Sequence, residues 1–255
     1  MSQHRSVALA ALFTLFALLP GCVDTGSSEI VIPLEARGTN PGTEFVGRDG
    51  WTIALDEASL AFGPLTLCAG ATAGELCDTA HAEWLDSAVV DILDPTPRAL
   101  GEIIGVSGRV RSWMYDLGFV STLTQDEPLE LPAAKRLEGN SVHLRGTATN
   151  EALKLTFEIA LPIRQEAATE RGVPVIAKNT AEPFDQDLTN TPVTLQASFD
   201  AAPWFEQVDF EALAKAHDCN PTCPNPIQIT PNDQAYRAIR VAILAANHAK
   251  FTWTH

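Results

Sequence analysis

The stretch SVHLRGTATNEALKLTFEIALPI, residues 141–163, decides the fold of this chain. In its first part, residues 141–149, apolar or small residues alternate with polar ones, and its second part, residues 153–163, alternates in the same way. A period of two is typical of a strand that buries one face. With the short connection at residues 150–152, the stretch predicts an antiparallel β-hairpin.

Similar short segments recur on both sides of this hairpin. Residues 51–67 predict two strands that Gly63 and Pro64 separate. Many short strands with turn residues between them favour a mainly β, antiparallel, sandwich-like domain. The remaining predicted strands are residues 30–32, 87–93, 103–110, 111–119, 193–199 and 251–253.

Two C-terminal helices are predicted beside the strands. Residues 203–217 and 232–247 carry apolar residues three or four positions apart, the spacing that places them on one helix face. Asp200 is a candidate cap for the first helix, and Pro231 or Asn232 would begin the second. Both helices are expected to pack on one face or at one end of the sandwich.

The first 22 residues predict export. Arg5 precedes an apolar run at residues 7–19, and the sequence LPGC occupies residues 19–22. A membrane-spanning helix needs about 20 apolar residues, so this run is too short to be one. The pattern resembles a secretory signal peptide that ends in a bacterial lipobox. The other interpretations are an uncleaved anchor and an ordinary signal peptide with a chance cysteine.

The lipobox resemblance implies a lipoprotein whose signal peptide, residues 1–21, is removed and whose Cys22 carries fatty acyl chains such as palmitate. Two or more chains hold a protein stably on a membrane. Residues 22–48 would then be the lipidated cysteine, a tether and a first short strand, and residues 49–255 a single β-rich export domain. In the enteric sorting rule, an aspartate directly after the lipidated cysteine retains a lipoprotein in the inner membrane. Here Val23 takes that place and Asp24 comes one residue later, so the expected location is the outer membrane of the cell envelope.

Acidic residues outnumber basic ones in this chain. It has 17 Lys and Arg against 32 Asp and Glu, and cleavage before Cys22 removes one Arg, which leaves 16 minus 32, or −16. Such a charge keeps a domain soluble and repels nucleic acid and anionic lipid headgroups. Nucleic acid is therefore excluded as a partner.

An even number of cysteines in an exported chain predicts disulfides. The four cysteines that follow Cys22 allow three disulfide pairings. The pairing between sequence neighbours is favoured because each of its two pairs encloses a loop-like stretch. Such bridges would pin loops at about 2–3 kcal/mol each. The cysteines that follow Cys22 are Cys68, Cys77, Cys219 and Cys223.

Two histidines near these cysteines are candidate metal ligands. His81 lies four residues after Cys77, and His217 lies two residues before Cys219. Imidazole suits copper or zinc, and reduced cysteines would add soft ligands. The spacings fit no standard zinc motif, and scattered surface histidines are the alternative interpretation. No cofactor is expected.

Four cysteines together with histidines and tryptophans in an exported chain resemble the composition of the copper-binding partners of the methanobactin-associated MbnP group. In that group a tryptophan and histidines serve the metal. The resemblance implies a copper-binding accessory protein, but it is compositional, and no single tryptophan matches that group's motif. The tryptophans of this chain are Trp51, Trp84, Trp113, Trp204 and Trp253.

Two of the tryptophans and one acidic segment are candidate binding elements. Trp84 and Trp113 lie among polar residues, and an exposed pair would suit a sugar or a protein partner; half-buried indoles are the alternative. Residues 185–190 carry oxygen ligands at alternate positions, as calcium needs, but a solvated acidic loop is the favoured interpretation.

Catalytic motifs are absent from the sequence. Residues 105–109 read GVSGR and depart from the Gly-x-Ser-x-Gly nucleophile motif, because Arg109 takes the last position. The sequence therefore predicts a non-catalytic binding module on a lipid anchor, with an envelope protein or a glycan as partner. The alternatives are a copper- or zinc-binding accessory protein and a hydrolase without a recognisable motif.

Overall fold

A computed structural model gives the fold. The predicted signal peptide and Cys22 lie outside the part of the chain that it describes, so lipidation stays a prediction. No helix within that part is long and apolar enough to cross a membrane. The described residues are 26–39, 44–70, 77, 79–120, 129–164, 176–177, 184–219, 223, 226–245 and 249–255.

Strands dominate the described part, and three short helices accompany them. The strands are β1 (Glu29–Gly38), β2 (Phe45–Val46), β3 (Thr52–Phe62), β4 (Leu65–Cys68), β5 (Ala80–Trp84), β6 (Ala88–Asp91), β7 (Arg98–Val106), β8 (Gly108–Val110), β9 (Ser112–Tyr115), β10 (Phe119–Val120), β11 (Leu129–Glu130), β12 (Val142–Thr149), β13 (Lys154–Leu161), β14 (Ile176–Ala177), β15 (Gln186–Leu188), β16 (Thr194–Phe199), β17 (Ile227–Ile229) and β18 (Lys250–Thr254). The helices are α1 (Pro132–Arg136), α2 (Phe210–Ala216) and α3 (Gln234–Ala245).

Two sheets pack into a sandwich. The larger has eight strands in the order β14-β9-β4-β5-β7-β1-β16-β18, and the smaller has six, in the order β17-β13-β12-β3-β2 with β6 also on β3. Most neighbours are antiparallel, but β1 and β16 run parallel, and so do β13 and β17. The predicted mainly β, sandwich-like fold with few helical residues is confirmed.

The hairpin that decides the fold is formed by β12 and β13. Their register runs from Val142 opposite Leu161 to Thr149 opposite Lys154. The side chain of Asn150 closes the turn, because its Oδ1 accepts hydrogen bonds from two following backbone N–H groups at 3.0 and 2.7 Å. One face of each strand is buried, as the alternation predicts.

The core lies between the inner faces of the two sheets. On β1, Ile30, Ile32 and Leu34 point inward and are at most 5% exposed. From the smaller sheet, Phe62 contacts aromatic rings of the larger sheet, with ring centroids 5.2 Å from both Tyr115 and Phe199. Each such side chain stabilises the fold by about 1.5–3 kcal/mol through burial, and this packing sets the positions of both sheets.

The predicted helices are shorter than expected. The segment 203–217 divides into a 3-10 turn, Ala202–Phe205, and α2, because the chain turns inward to bury Trp204 and Phe205. Asp200 Oδ1 accepts a hydrogen bond from the backbone N–H of Ala202 at 3.0 Å, although the N-cap of the turn is Ala201. Asp209 caps α2 by accepting a hydrogen bond from the backbone N–H of Ala212 at 2.8 Å. The second helix, α3, begins at Gln234, two residues later than predicted.

Both disulfides join sequence neighbours, as predicted. Cys68 pairs with Cys77, with Cα atoms 5.5 Å apart, and Cys219 pairs with Cys223, with Cα atoms 4.4 Å apart. The first bridge joins the end of β4 to the segment before β5, and the second follows α2. Each therefore pins a local connection.

Candidate functional site

A cleft of about 520 Å³ opens at one end of the larger sheet. Its walls come from the first half of β1, the loop 189–193 and the last residues of β18. The side chains combine hydroxyl, amide and carboxylate groups with a few apolar ones. The lining residues are Glu29, Ile30, Val31, Pro33, Glu102, Thr189, Asn190, Thr191, Pro192, Val193, Thr194, Thr254 and His255.

The cleft exists because β1 extends beyond its neighbour β16. The two strands first pair at Leu34 opposite Leu195, so residues 29–33 of β1 pair with β7 on one side only. The loop before β16 cannot continue the pairing: Pro192 has no N–H, and the N–H of Thr191 donates to Thr189 Oγ1 at 3.2 Å.

The backbone on the open side of β1 points into this gap. In an antiparallel ladder, alternate residues exchange hydrogen bonds with the partner and the others point away. Ser28 O accepts from Ser107 N at 2.7 Å, and Pro33, which has no N–H, lies opposite Glu102. This alternation directs the N–H and C=O groups of Glu29 and Val31 away from β7. On that side, the ladder to β16 begins only at Leu34, and no loop or turn hydrogen bond joins these groups to another described backbone group.

Apolar and acidic side chains border the same gap. Val31 lies opposite Ile104 on the outer face of the sheet, and the two are 51% and 55% exposed. Glu29 and Glu102 line the cleft, and neither forms an ion pair with a described residue. None of the described lining residues is a lysine or an arginine, so the cleft is negatively charged.

A second polar cluster, which we call the His143 network, lies on the outer face of the smaller sheet. His143 Nδ1 is 3.0 Å from Glu57 Oε1, and its Nε2 is 2.9 Å from Glu158 Oε1. Gln228 Nε2 donates to Glu158 Oε2 at 2.8 Å, and Arg145 Nη2 is 3.7 Å from Glu57 Oε2. The network therefore crosses β3, β12, β13 and β17.

The network shifts the pKa values of its members. Partial burial lowers the pKa of His143, but the hydrogen bonds and charges of Glu158 and Glu57 outweigh burial, so the net pKa is raised. The pKa of Glu158 is lowered, first by the hydrogen bond from Gln228 and then by the one from His143. Both ring nitrogens of His143 face carboxylates, so the arrangement favours the imidazolium form, in which neither nitrogen has a lone pair for a metal.

The structure does not bring the predicted metal ligands together. His81 lies on β5, where its ring packs against Gly108, and His217 follows α2 with its Nε2 3.2 Å from Asp233 Oδ1. All four cysteines after Cys22 are in disulfides and therefore offer no thiolate. Across the described residues, no three His, Cys, Asp or Glu side chains form a group that could hold a metal ion.

Trp84 and Trp113 do not form the exposed pair that would suit a sugar or a protein partner. They are 5% and 6% exposed: the alternation of β5 turns the Trp84 indole inward, whereas all four residues of β9, Trp113 among them, are buried. Trp113 stacks on Tyr115 with ring centroids 5.4 Å apart, and Trp84 lies 5.7 Å from the Phe62 ring. Neither ring face is free to stack on a ligand at the surface.

The acidic segment considered for calcium is a strand. Residues Gln186–Leu188 form β15 and pair with β8, which buries Leu188. Asp185 Oδ2 accepts from Arg109 Nη2 at 3.2 Å and is therefore already paired with a cation. Sequence reasoning missed this strand because its alternation is only three residues long.

Comparisons with known proteins identify no family for this chain. No family model matches it, and no curated protein matches it. Among solved structures, MbnP from Methylosinus trichosporium is similar with a TM-score of 0.43 and 12% identity, over 84% of this chain and 87% of that chain. The match is weak, and it assigns no ligand or site residue here.

Proposed function

We propose that this protein is a lipid-anchored envelope protein that acts as a non-catalytic binding module, with the cleft at the open half of β1 as its ligand site. The observation that carries the proposal is the cleft itself. It joins about 520 Å³ of open space to unpaired backbone groups and exposed apolar side chains. Concave sites of this size with a few polar groups are the usual places where proteins bind ligands.

The composition of the cleft supports binding over catalysis. Its described titratable side chains are Glu29, Glu102 and His255, and no hydrogen bond connects them to one another. Nucleophilic and acid–base catalysis need such groups within hydrogen-bond reach of a partner. The remaining polar lining consists of threonines and an asparagine, which orient a ligand without reacting with it.

The position of the cleft supports a partner at the envelope. Ser28, at the start of β1, is fixed to Ser107 by two hydrogen bonds at 2.7 and 2.9 Å. If Cys22 is lipidated, the six residues from it to Ser28 reach at most about 20 Å when fully extended. The cleft next to Ser28 would then lie close to the membrane and to other envelope components.

The described residues provide no set of metal ligands that would support the alternative of a copper- or zinc-binding protein. A copper- or zinc-binding role would need ligands other than the four disulfide-bonded cysteines, and His81 and His217 lie on separate elements. Elemental analysis of the exported chain after exposure to copper and zinc tests that role. The metal-binding role stays a prediction, and so does the role of a hydrolase without a recognisable motif.

Position-specific crosslinking tests the proposed function. The full chain is produced with its own export segment in a bacterial host, and a photo-crosslinking phenylalanine analogue replaces Thr191 at the rim of the cleft. The matched control places the analogue at Glu151, which is exposed at the turn between β12 and β13. We expect a crosslinked species from position 191 and none from position 151.

A second measurement ties the crosslink to the cleft. The captured protein or glycan, once purified, is added to the isolated chain, and we expect it to slow amide hydrogen exchange in residues 29–33. No crosslink at position 191, or the same species from both positions, would overturn the proposal. Protection confined to residues outside the cleft would overturn it as well.

A further inference from the structure

We infer that the ligand of the cleft is an extended, basic peptide segment of a partner protein, which pairs with the open edge of β1 as an added strand. The inference rests on the proposed function, since it names the ligand of the same site. Three features of the described residues carry it: an unpaired strand edge, a space beside that edge and an excess of negative charge. Each of them restricts the ligand in a different way.

The strand edge restricts the ligand to an extended backbone. The N–H and C=O groups of Glu29 and Val31 point into the cleft at alternate positions of a regular strand. Their spacing matches a partner strand, whose backbone groups recur every two residues, or about 6.6 Å. Peptides that add to an exposed sheet edge obtain affinity from these main-chain bonds and specificity from alternate side chains.

The space beside the open edge of β1 lies where a further strand of the sheet would pair with residues 29–33. In the sheet order, β16 follows β1, but it begins only at Thr194, and β18 ends opposite it at Thr254. Beyond that point no strand of the described residues continues β16, and the cleft occupies that position. A segment of about five residues, or 17 Å, would complete the sheet along residues 29–33.

The charge restricts the ligand to a basic segment. Glu29 and Glu102 border the cleft without a cationic partner among the described residues, and the whole chain carries a net charge of −15. An acidic segment would add like charges at short range, whereas a lysine or arginine beside each carboxylate is favoured. The exposed side chain of Val31, which lines the cleft, provides apolar contact for residues between the charges.

Val31→Pro tests the strand pairing directly. The N–H of Val31 points away from β7, so proline removes a donor that faces the cleft and leaves the ladder to β7 intact, as Pro33 already does. The matched control, Val31→Thr, changes the side chain and keeps the N–H. Equal urea unfolding midpoints for the two variants show that the fold is retained.

The probe is an array of nine-residue peptides with valine and threonine fixed at alternate positions. At the two ends and the centre, one set carries lysine and the matched set carries glutamate. We expect the full chain to bind lysine peptides more tightly, with a loss of about tenfold for Val31→Pro and little change for Val31→Thr. The double variant Glu29→Gln, Glu102→Gln should weaken the preference for lysine and its dependence on salt.

Several outcomes would overturn the inference. They are an absence of binding by any lysine peptide, equal binding of the lysine and glutamate sets, and equal affinities of the Val31→Pro and Val31→Thr variants. Self-association of the wild-type chain that Val31→Pro abolishes would assign the edge to a second copy of the chain. If Val31→Pro leaves the crosslink at position 191 unchanged, strand addition fails while the proposed function stands; if that crosslink is absent, both fail.

Discussion

The cleft and the His143 network are two polar regions on the outer faces of the sandwich. They differ in whether their polar groups have hydrogen-bond partners in the free protein. In the network, both ring nitrogens of His143 and both oxygens of Glu158 have partners within 3.0 Å. In the cleft, Glu29 and Val31 direct backbone groups into open space. A group that has partners in the free protein gains little from a ligand, whereas an unpaired group can gain one hydrogen bond.

This difference separates a structural cluster from a binding site. The network contains a histidine and glutamates, which are typical of catalytic or metal sites. These side chains nevertheless form hydrogen bonds and ion pairs with one another across four strands. The cleft contains few conspicuous side chains, yet its strand edge is incomplete. The comparison predicts that changes in the network alter stability and its dependence on pH, whereas changes on the open face of the cleft alter binding.

The largest expected effect distinguishes the two faces of β1 within the cleft region. Ile32 is 2% exposed and points into the core, whereas its neighbour Val31 is 51% exposed. Ile32→Ala should lower the free energy of unfolding by about 2–5 kcal/mol, because it removes buried methyl groups and leaves a cavity. Val31→Ala should lower it by less than about 1 kcal/mol. Urea unfolding of both variants measures the difference.

Equal losses in these two variants would contradict the comparison, because they would mean that the outer face of β1 is buried. The control is Val241→Ala on α3, whose side chain is 62% exposed and distant from the cleft in sequence. It should resemble Val31→Ala in stability.

A smaller effect is expected in the network. The pKa of His143 is raised in the folded protein, so its stabilising contribution is fully present below the unfolded pKa of about 6.5 and is lost as pH rises through the folded value. His143→Gln should therefore cost about 1 kcal/mol at about pH 5.5 and less at about pH 8.5. Urea unfolding of wild type and variant at both pH values gives the two differences.

His255→Gln is the control for this measurement, because His255 is exposed and outside the network. Its substitution should change stability little. A cost of His143→Gln that grows between about pH 5.5 and pH 8.5 would contradict the assigned direction of the pKa shift. Unchanged binding of the lysine peptides by His143→Gln is also expected, since the network takes no part in the cleft.

The sandwich could be predicted from the sequence because its strongest signals are local. The hairpin of β12 and β13 has eight paired positions and an Asn150 turn, all within one continuous segment. The first strand was underestimated as residues 30–32, although Ile30, Ile32, Leu34 and Ala36 alternate inward along β1. Pro33 and the charged residues that follow obscured this period.

The candidate sites could not be predicted in the same way. The cleft depends on the parallel register of β1 and β16, which pairs Leu34 with Leu195, and no local pattern contains a relation between segments so far apart. The His143 network depends in turn on the register that brings Glu57, His143 and Glu158 together from three strands. Polar neighbours of Trp84 indicated exposure, but in a strand those neighbours point to the opposite face.

The smallest expected effect sharpens the comparison inside the network, at its edge strand. Gln228 on β17 is the first cause of the lowered pKa of Glu158, so Gln228→Ala should raise that pKa toward its ordinary value. A lowered carboxyl pKa contributes stability that is present above the unfolded pKa of about 4.3 and is lost as pH falls through the folded value. The variant should therefore lose about 0.5 kcal/mol at about pH 6 and less at about pH 3, because the lost amide donor matters only to the carboxylate. An NMR titration of the Glu158 carboxyl measures the shift, and Gln196→Ala, which removes an amide 3.4 Å from Glu35 on the larger sheet, is the matched control. If Gln228→Ala leaves the titration of Glu158 unchanged, the hydrogen bond from Gln228 does not stabilise the Glu158 carboxylate. The network would then not differ from the cleft in having partners for all of its polar groups.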